Sequence, residues 1–80
     1  MLEQLQKLFV GKRVGVKQLT NPRVPNREGV CVELYLAEPG LYQMKLEDGT
    51  ICGFRKPEIK ADLVECQGAK GHLMTISVIN

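Results

Sequence analysis

The residue types that most often catalyse reactions or bind metals are few in this sequence and widely spaced. There are three cysteines, Cys31, Cys52 and Cys66, and one histidine, His72. A zinc site needs four ligands, usually at short spacings, which these residues do not provide. Cys66 and His72 flank a glycine-rich turn, but no orienting acid or oxyanion-hole motif accompanies this thiol and imidazole. The sequence therefore predicts no catalytic residue, no metal ligand and no cofactor.

Cationic residues offer a second kind of chemistry, the binding of phosphates or carboxylates. Most of the 11 lysines and arginines lie in the first strand-like segment, in the long loop after it and just before Pro57. In a small barrel these stretches can converge on one surface, where Tyr35 would stack or pack against a partner. The alternative is a scattered set of solvated charges that neighbouring glutamates partly cancel. The predicted contact set is Arg13, Lys17, Arg23, Arg27, Tyr35, Arg55 and Lys56.

Length and charge narrow the classes of function. The chain has 80 residues, 44% of them hydrophobic, and a formal net charge of +2. So short a chain has one small core and little room for a deep catalytic cleft, so we expect a single domain over residues 1–80 and a non-enzymatic role. The weak positive charge is not typical of a strong nucleic-acid binder. No apolar run approaches the roughly 20 residues of a membrane span and no signal peptide is evident, which predicts a cytoplasmic protein without a membrane partner.

Residues 1–10 have the periodicity of a short amphipathic helix. Apolar residues recur at spacings of three and four, with polar residues between them. So short a helix is marginal alone and must pack on another surface. That surface is either an open end of the barrel or a second copy of the chain, to which outward apolar side chains would add area. The predicted oligomer contacts are Leu2, Leu5, Phe9 and Ile51.

The apolar period changes to two after residue 10, which predicts β-strands over residues 11–79. Val14 and Val16 mark a first strand, and β-branched residues mark a last one over His72–Ile79. No segment is long enough for a helical crossover between parallel strands. These features predict a mainly β fold, a small antiparallel barrel of five to six strands with a short N-terminal helix.

Val30–Ala37 is the clearest half-buried strand. Its valines and leucines share one face, while Cys31, Glu33 and Tyr35 share the other, so Cys31 is predicted to point outward. Pro39 and the glycine after it suit the centre of a type II turn.

The next turn decides which side chains face outward. A two-residue turn at Asp48 and Gly49 would split the large apolar residues between two faces. A three-residue loop that begins at Glu47, with a left-handed Gly49, instead pairs Tyr42 with Phe54 and keeps them together. We favour the second register, which leaves Gln43, Lys45, Ile51 and Gly53 outward.

The segment after this hairpin is expected to leave the sheet briefly. Pro57 suits the first position of a short helical turn within Arg55–Ile59, and Ile59 would then point into the core. A short strand around Leu63–Val64 follows.

Three features of this sequence occur in the same order along the chain as in a known type of barrel. A glycine opens the strand Gly29–Leu34, the basic-apolar strand of Tyr42–Thr50 ends in an Asp-Gly turn, and Phe54 and Pro57–Ile59 follow. Together they resemble the SH3-like barrels of the KOW and Tudor type, over about residues 11–64. The resemblance implies an SH3-like barrel. The leading functional hypothesis is a module that binds nucleic acid or an acidic protein surface.

The stretch Ile51–Phe54 occupies the place of a Val-Gln-Ile-Tyr strand in a second family that this chain resembles in length. These are the small cassette-borne, trimethoprim-resistant dihydrofolate reductases, SH3-like barrels that form tetramers around one pore. The stretch has neither the glutamine nor the tyrosine, so the resemblance implies self-assembly rather than reductase activity. Two alternatives stay open: a homo-oligomeric barrel that binds a small molecule in a shared pore or groove, and a mobile-element protein of the integron-cassette kind with a structural or inhibitory role.

Overall fold

Residues 1–79, the part of the chain that the computed structural model describes, form a closed ring of six antiparallel strands preceded by one short helix. Each strand pairs with the next along the chain, and the last pairs with the first. The predicted mainly β barrel with an N-terminal helix is therefore confirmed. The elements are α1 (Leu2–Phe9), β1 (Arg13–Gln18), β2 (Arg27–Glu38), β3 (Leu41–Leu46), β4 (Ile51–Lys60), β5 (Leu63–Gln67) and β6 (Leu73–Val78).

α1 packs against the barrel where β1 begins. Leu5 and Phe9 are both 0% exposed and belong to the core, and Gln6 Nε2 donates a hydrogen bond to the Leu34 carbonyl at 2.8 Å. The prediction that Leu5 and Phe9 make an oligomer contact is wrong, because the chain's own strands cover them. Leu2 is half-buried. In the described part of the chain, no helix has the length and apolar content needed to cross a bilayer.

Alternation along the strands places the core. Val14 and Val16 on β1, Val64 on β5 and Ile76 on β6 are at most 2% exposed. Ile76 lies between Val16 and Val64 in the ladder, so three adjacent strands present β-branched residues to the same side. Burial of each such side chain stabilises the fold by about 1.5–3 kcal/mol.

β2 departs from the predicted alternation at a β-bulge. Its pairing with β3 shifts between Cys31 and Glu33, so Cys31 and Leu34 point inward at 0% and 2% exposed, while Val32 is 47% exposed. The prediction of an outward Cys31 is wrong. The reason is a change of partner: the Cys31 N–H still donates to the Lys12 carbonyl, at 2.9 Å, and β2 then turns from β1 to β3. A bulge supplies the bend that this change requires.

The β3–β4 hairpin has the predicted register. Tyr42 pairs with Phe54, and their rings stack with centroids 5.5 Å apart. The Gly49 N–H donates to the Leu46 carbonyl at 2.9 Å. The φ of Gly49 is 91°, a left-handed conformation that glycine adopts without strain. Ile51 faces outward, as expected, and is 52% exposed.

β4 stays in the sheet where a helical turn was expected. Its pairing with β5 shifts between Arg55 and Glu58, and Lys56 has a φ of 51° at this bulge. The bulge bends the strand without ending it, so the predicted helical turn is wrong. Ile59 pairs with the buried Val64 but is 37% exposed, so it lies at the margin of the core rather than inside it.

β2 and β4 each serve two neighbours. Residues 27–30 pair with β1 and residues 31–38 with β3, while residues 51–54 pair with β3 and residues 55–60 with β5. The two strands therefore bend where they change partner. The first residues of β2 and of β4 do not pair with each other, and an opening lies between them.

Candidate functional site

The end of β1 that lies away from α1 opens into a cavity of about 380 Å³, here called the mouth. This volume is within the range of roughly 300–1,000 Å³ that is usual for ligand sites. The loop between β1 and β2, the start of β4 and the turn between β5 and β6 form its walls. The lining residues are Val16, Gln18, Asn21, Val24, Arg27, Thr50, Ile51, Cys52, Gly53, Gly68, Ala69, Lys70, His72 and Met74.

Strand alternation directs Arg27 into the mouth. Arg27 is the β2 partner of Val16, and paired residues of an antiparallel ladder project from the same face. Val16 is 2% exposed and points into the barrel, so Arg27 projects over the same interior. Cys52 is placed in the same way by its partner Met44, which is 0% exposed.

Hydrogen bonds hold the loop wall in position. The Leu73 N–H donates to Thr20 Oγ1 at 2.9 Å, and this hydroxyl lies 3.3 Å from His72 Nδ1. The Gln18 N–H donates to Asn26 Oδ1 at 2.8 Å. These contacts fix both ends of the loop between β1 and β2 against the barrel.

The charged lining of the mouth is cationic. Arg27 and Lys70 contribute the charge, and among the described residues that line the mouth there is no aspartate or glutamate. One carboxylate lies close by: hydrogen bonds from Thr50, and to a smaller extent the charge of Arg27, hold the pKa of Asp48 below its ordinary value. An anionic group in the mouth would thus meet two cations and compete with Asp48 for Arg27.

The thiols are held in the protonated form. Burial raises the pKa of Cys66 to about 12, and burial also raises the pKa of Cys31 and of Cys52. Cys66 is 4% exposed, so a thiolate paired with His72 is not available as a nucleophile near neutral pH. In residues 1–79 no group of three or more potential metal-ligating side chains comes together.

Comparison with protein-family models, with curated proteins and with solved structures finds no match for this chain. The geometry and charge of the mouth therefore carry the functional argument.

The predicted contact set divides among several regions. Arg27 lies in the mouth, and Arg23 lies in the loop wall, where its N–H donates to Asn21 Oδ1 at 3.2 Å. Lys17 is on the outer face of β1, opposite Thr75 of β6. Of the set, only Arg23 and Arg27 belong to the segments that build the mouth.

Two further arginines pair with glutamates on the barrel surface. Arg13 Nη2 is 3.4 Å from Glu28 Oε1, and Arg55 Nη2 is 3.1 Å from Glu38 Oε1. Exposed pairs of this kind contribute little stability, but they reduce the field that each arginine presents to a partner.

Lys56 and Tyr35 lie apart from the mouth. Lys56 lines a second, smaller cavity of about 220 Å³ beside Leu73 and Glu65. The Tyr35 hydroxyl donates to Gln43 Oε1 at 2.7 Å on the outer face of β2 and β3. Of the seven predicted residues, Arg27 is the one among the described residues that line the mouth.

Among the residues of the mouth that were not predicted as functional, Lys70, His72 and Cys52 carry ionisable side chains. Lys70 stands in the turn Gly68–Gly71, which the sequence marks clearly, but nothing in the sequence shows that this turn faces the start of β4. Ile51 was predicted as an oligomer contact and also lines the mouth. Self-association through Leu2 and Ile51 stays a prediction.

Proposed function

We propose that this protein is a non-enzymatic binding module whose mouth takes an acidic segment of a protein partner. The observation that carries the proposal is the cavity of about 380 Å³ into which Arg27 and Lys70 bring positive charge. Cations that line a concave, partly apolar site favour carboxylates because the walls screen them less than open solvent does.

The rim of the mouth favours a protein over a nucleic acid. Exposed apolar side chains are among its lining residues, with Val24 at 41% and Ile51 at 52% exposed. No phenylalanine, tyrosine or tryptophan is among the described residues that line it, so the large aromatic platforms on which bases usually stack are missing there. An acidic segment with apolar residues matches both the charge and the rim.

We also propose that the barrel is of the SH3-like type. The support is that β2 and β4 each bend and serve two neighbours, together with the three-residue hairpin loop that ends at Gly49. This proposal concerns fold type and adds nothing about the partner.

Charge reversal in the mouth tests the proposed function. The double variant Arg27→Glu, Lys70→Glu replaces two positive charges by two negative ones, which takes the formal net charge from +2 to −2. We expect it to bind polyglutamate at least roughly tenfold more weakly than the natural protein, because attraction becomes repulsion. The measurement is a calorimetric titration at low and at physiological salt.

The matched control is Lys12→Glu, Lys45→Glu, which makes the same change of net charge outside the mouth. It should keep most of the affinity. Equal weakening by both variants would show that only net charge matters and would contradict the proposal. So would tighter binding of a single-stranded oligonucleotide than of polyglutamate.

A further inference from the structure

The first residues of β4 have one partner strand only. Leu46 N–H donates to the Thr50 carbonyl at 2.9 Å where the hairpin closes. Hydrogen-bonded and non-hydrogen-bonded residue pairs alternate along an antiparallel ladder. Counting from the hydrogen-bonded pair of Leu46 and Thr50, Cys52 exchanges backbone hydrogen bonds with its β3 partner, whereas Ile51 and Gly53 do not. The backbone N–H and C=O groups of Ile51 and Gly53 therefore point away from β3.

No strand covers this edge of β4. Pairing with β5 begins at Arg55 and Gln67, and the chain then turns away through Gly68–Gly71. In residues 1–79, no strand pairing or loop hydrogen bond reaches Ile51 or Gly53 from that side. Both residues line the mouth. A short row of unpaired donors and acceptors thus opens into the cationic cavity.

We propose that an extended segment of a protein partner, alternating acidic and apolar residues, adds to this edge as an extra antiparallel strand. The inference rests on the proposed function and specifies how the partner binds. Strand addition derives affinity from backbone hydrogen bonds and specificity from alternate side chains.

The two faces of β4 determine that alternation. Residues of an added strand that lie on the face of Cys52 point into the mouth, toward Arg27 and Lys70, and are the acidic ones. Residues on the other face lie beside Ile51, which is 52% exposed, and are the apolar ones.

Gly53 lies on the free edge and has room for a Cβ within this chain. A Cβ added there would lie 3.7 Å from Leu41 Cδ1 and 3.9 Å from the Tyr42 carbonyl oxygen, which is ordinary contact. Alanine is therefore accommodated at this position, while proline would remove the N–H on the free edge and leave the ladder with β3 intact.

The experiment compares three short blocked peptides by calorimetric titration. One alternates glutamate and valine, the second has the same composition in two blocks, and the third alternates but carries N-methyl groups on every second amide. We expect the alternating peptide to bind best and the other two to bind at least roughly tenfold more weakly. The methylated peptide leaves the protein unchanged, so its result does not depend on any variant folding.

Two protein variants and amide hydrogen exchange test whether the peptide binds at the free edge of β4. Gly53→Pro should weaken binding of the alternating peptide and Gly53→Ala should not. In amide hydrogen exchange, the bound peptide should slow the exchange of Ile51 and Gly53.

The outcomes separate this inference from the proposed function. Equal affinities for the alternating, block and methylated peptides would overturn strand addition, while the loss of binding in Arg27→Glu, Lys70→Glu would still support the acidic partner. Absence of binding by all three peptides, with binding of an oligonucleotide, would overturn both.

Discussion

The two ends of the barrel differ in how they are covered. At the end where β1 begins, α1 covers the interior with Leu5 and Phe9, both 0% exposed. At the other end, residues 1–79 provide no helix, and loops and turns surround a cavity of about 380 Å³. The covered end contributes stability, and the mouth is the proposed binding surface. The buried side chains of α1 thus lie at one end, and Arg27 lines the cavity at the other.

The largest expected difference is in stability. Phe9→Ala removes a fully buried ring, which should lower the free energy of unfolding by about 3–5 kcal/mol. Val24→Ala at the rim should lower it by no more than about 0.5 kcal/mol, because Val24 is 41% exposed. Urea unfolding followed by circular dichroism measures both.

Because the loss at Phe9 approaches the whole stability of a small domain, Phe9→Leu serves as a milder variant. It should cost about 1–1.5 kcal/mol. If Phe9→Leu and Val24→Ala had equal effects, the two ends would not differ in the way described.

An effect of intermediate size is expected in the rates at which the three cysteines react with a thiol reagent. Cys52 is half-buried and lines the mouth, whereas Cys31 and Cys66 are 0% and 4% exposed. In the native protein a thiol reagent should modify Cys52 at least roughly tenfold faster than the other two, which react only after opening of the core. Mass spectrometry of partly labelled protein assigns the sites.

Cys52→Ser should abolish the fast reaction and Cys66→Ser should leave it unchanged. Polyglutamate bound in the mouth should slow it. Fast modification of Cys31 would show instead that the core beneath β2 opens as readily as the mouth.

The smallest expected effect is the pH dependence of folding stability that Asp48, beside the mouth, causes. Its pKa is lowered in the folded protein, chiefly by hydrogen bonds from Thr50 and to a smaller extent by Arg27. The folded state therefore favours the ionised form. This contribution is fully present above the ordinary pKa of aspartate and is lost as the pH falls through the lower, folded-state pKa.

Asp48→Ala should accordingly reduce the urea midpoint slightly at neutral pH and have no effect in acid below the folded-state pKa. A reduction that persists unchanged in acid would mean that Asp48 acts through something other than its charge.

The sequence was most informative where local signals decide the structure. Residues Glu47–Gly49 and the alternation on both sides specified the β3–β4 register correctly, because a glycine with a positive φ and one apolar face leave a single solution. It failed at Cys31 and at Arg55–Glu58, where β2 and β4 change partner through bulges. A bulge inverts the inward and outward positions beyond it, and no local signal marks its place.

The mouth was only partly predictable for a related reason. Arg27 was selected as a cation, but its place in the lining of the mouth depends on its pairing with Val16 across a long loop. Lys70 and the edge of β4 meet only because the ring closes, so their proximity is a property of the tertiary fold.

Closure of the ring also sets the order in which the chain can fold. The pairs that join β3 to β4 lie a few residues apart along the chain, whereas β1 and β6 pair Val14 with Val78. The entropy lost in joining distant segments is compensated only after the nearer hairpins have formed. We therefore expect the contact between β1 and β6 to form last and to limit the folding rate, together with the loop wall that Thr20 ties to β6. On this expectation, the mouth acquires its complete walls only in the final step of folding.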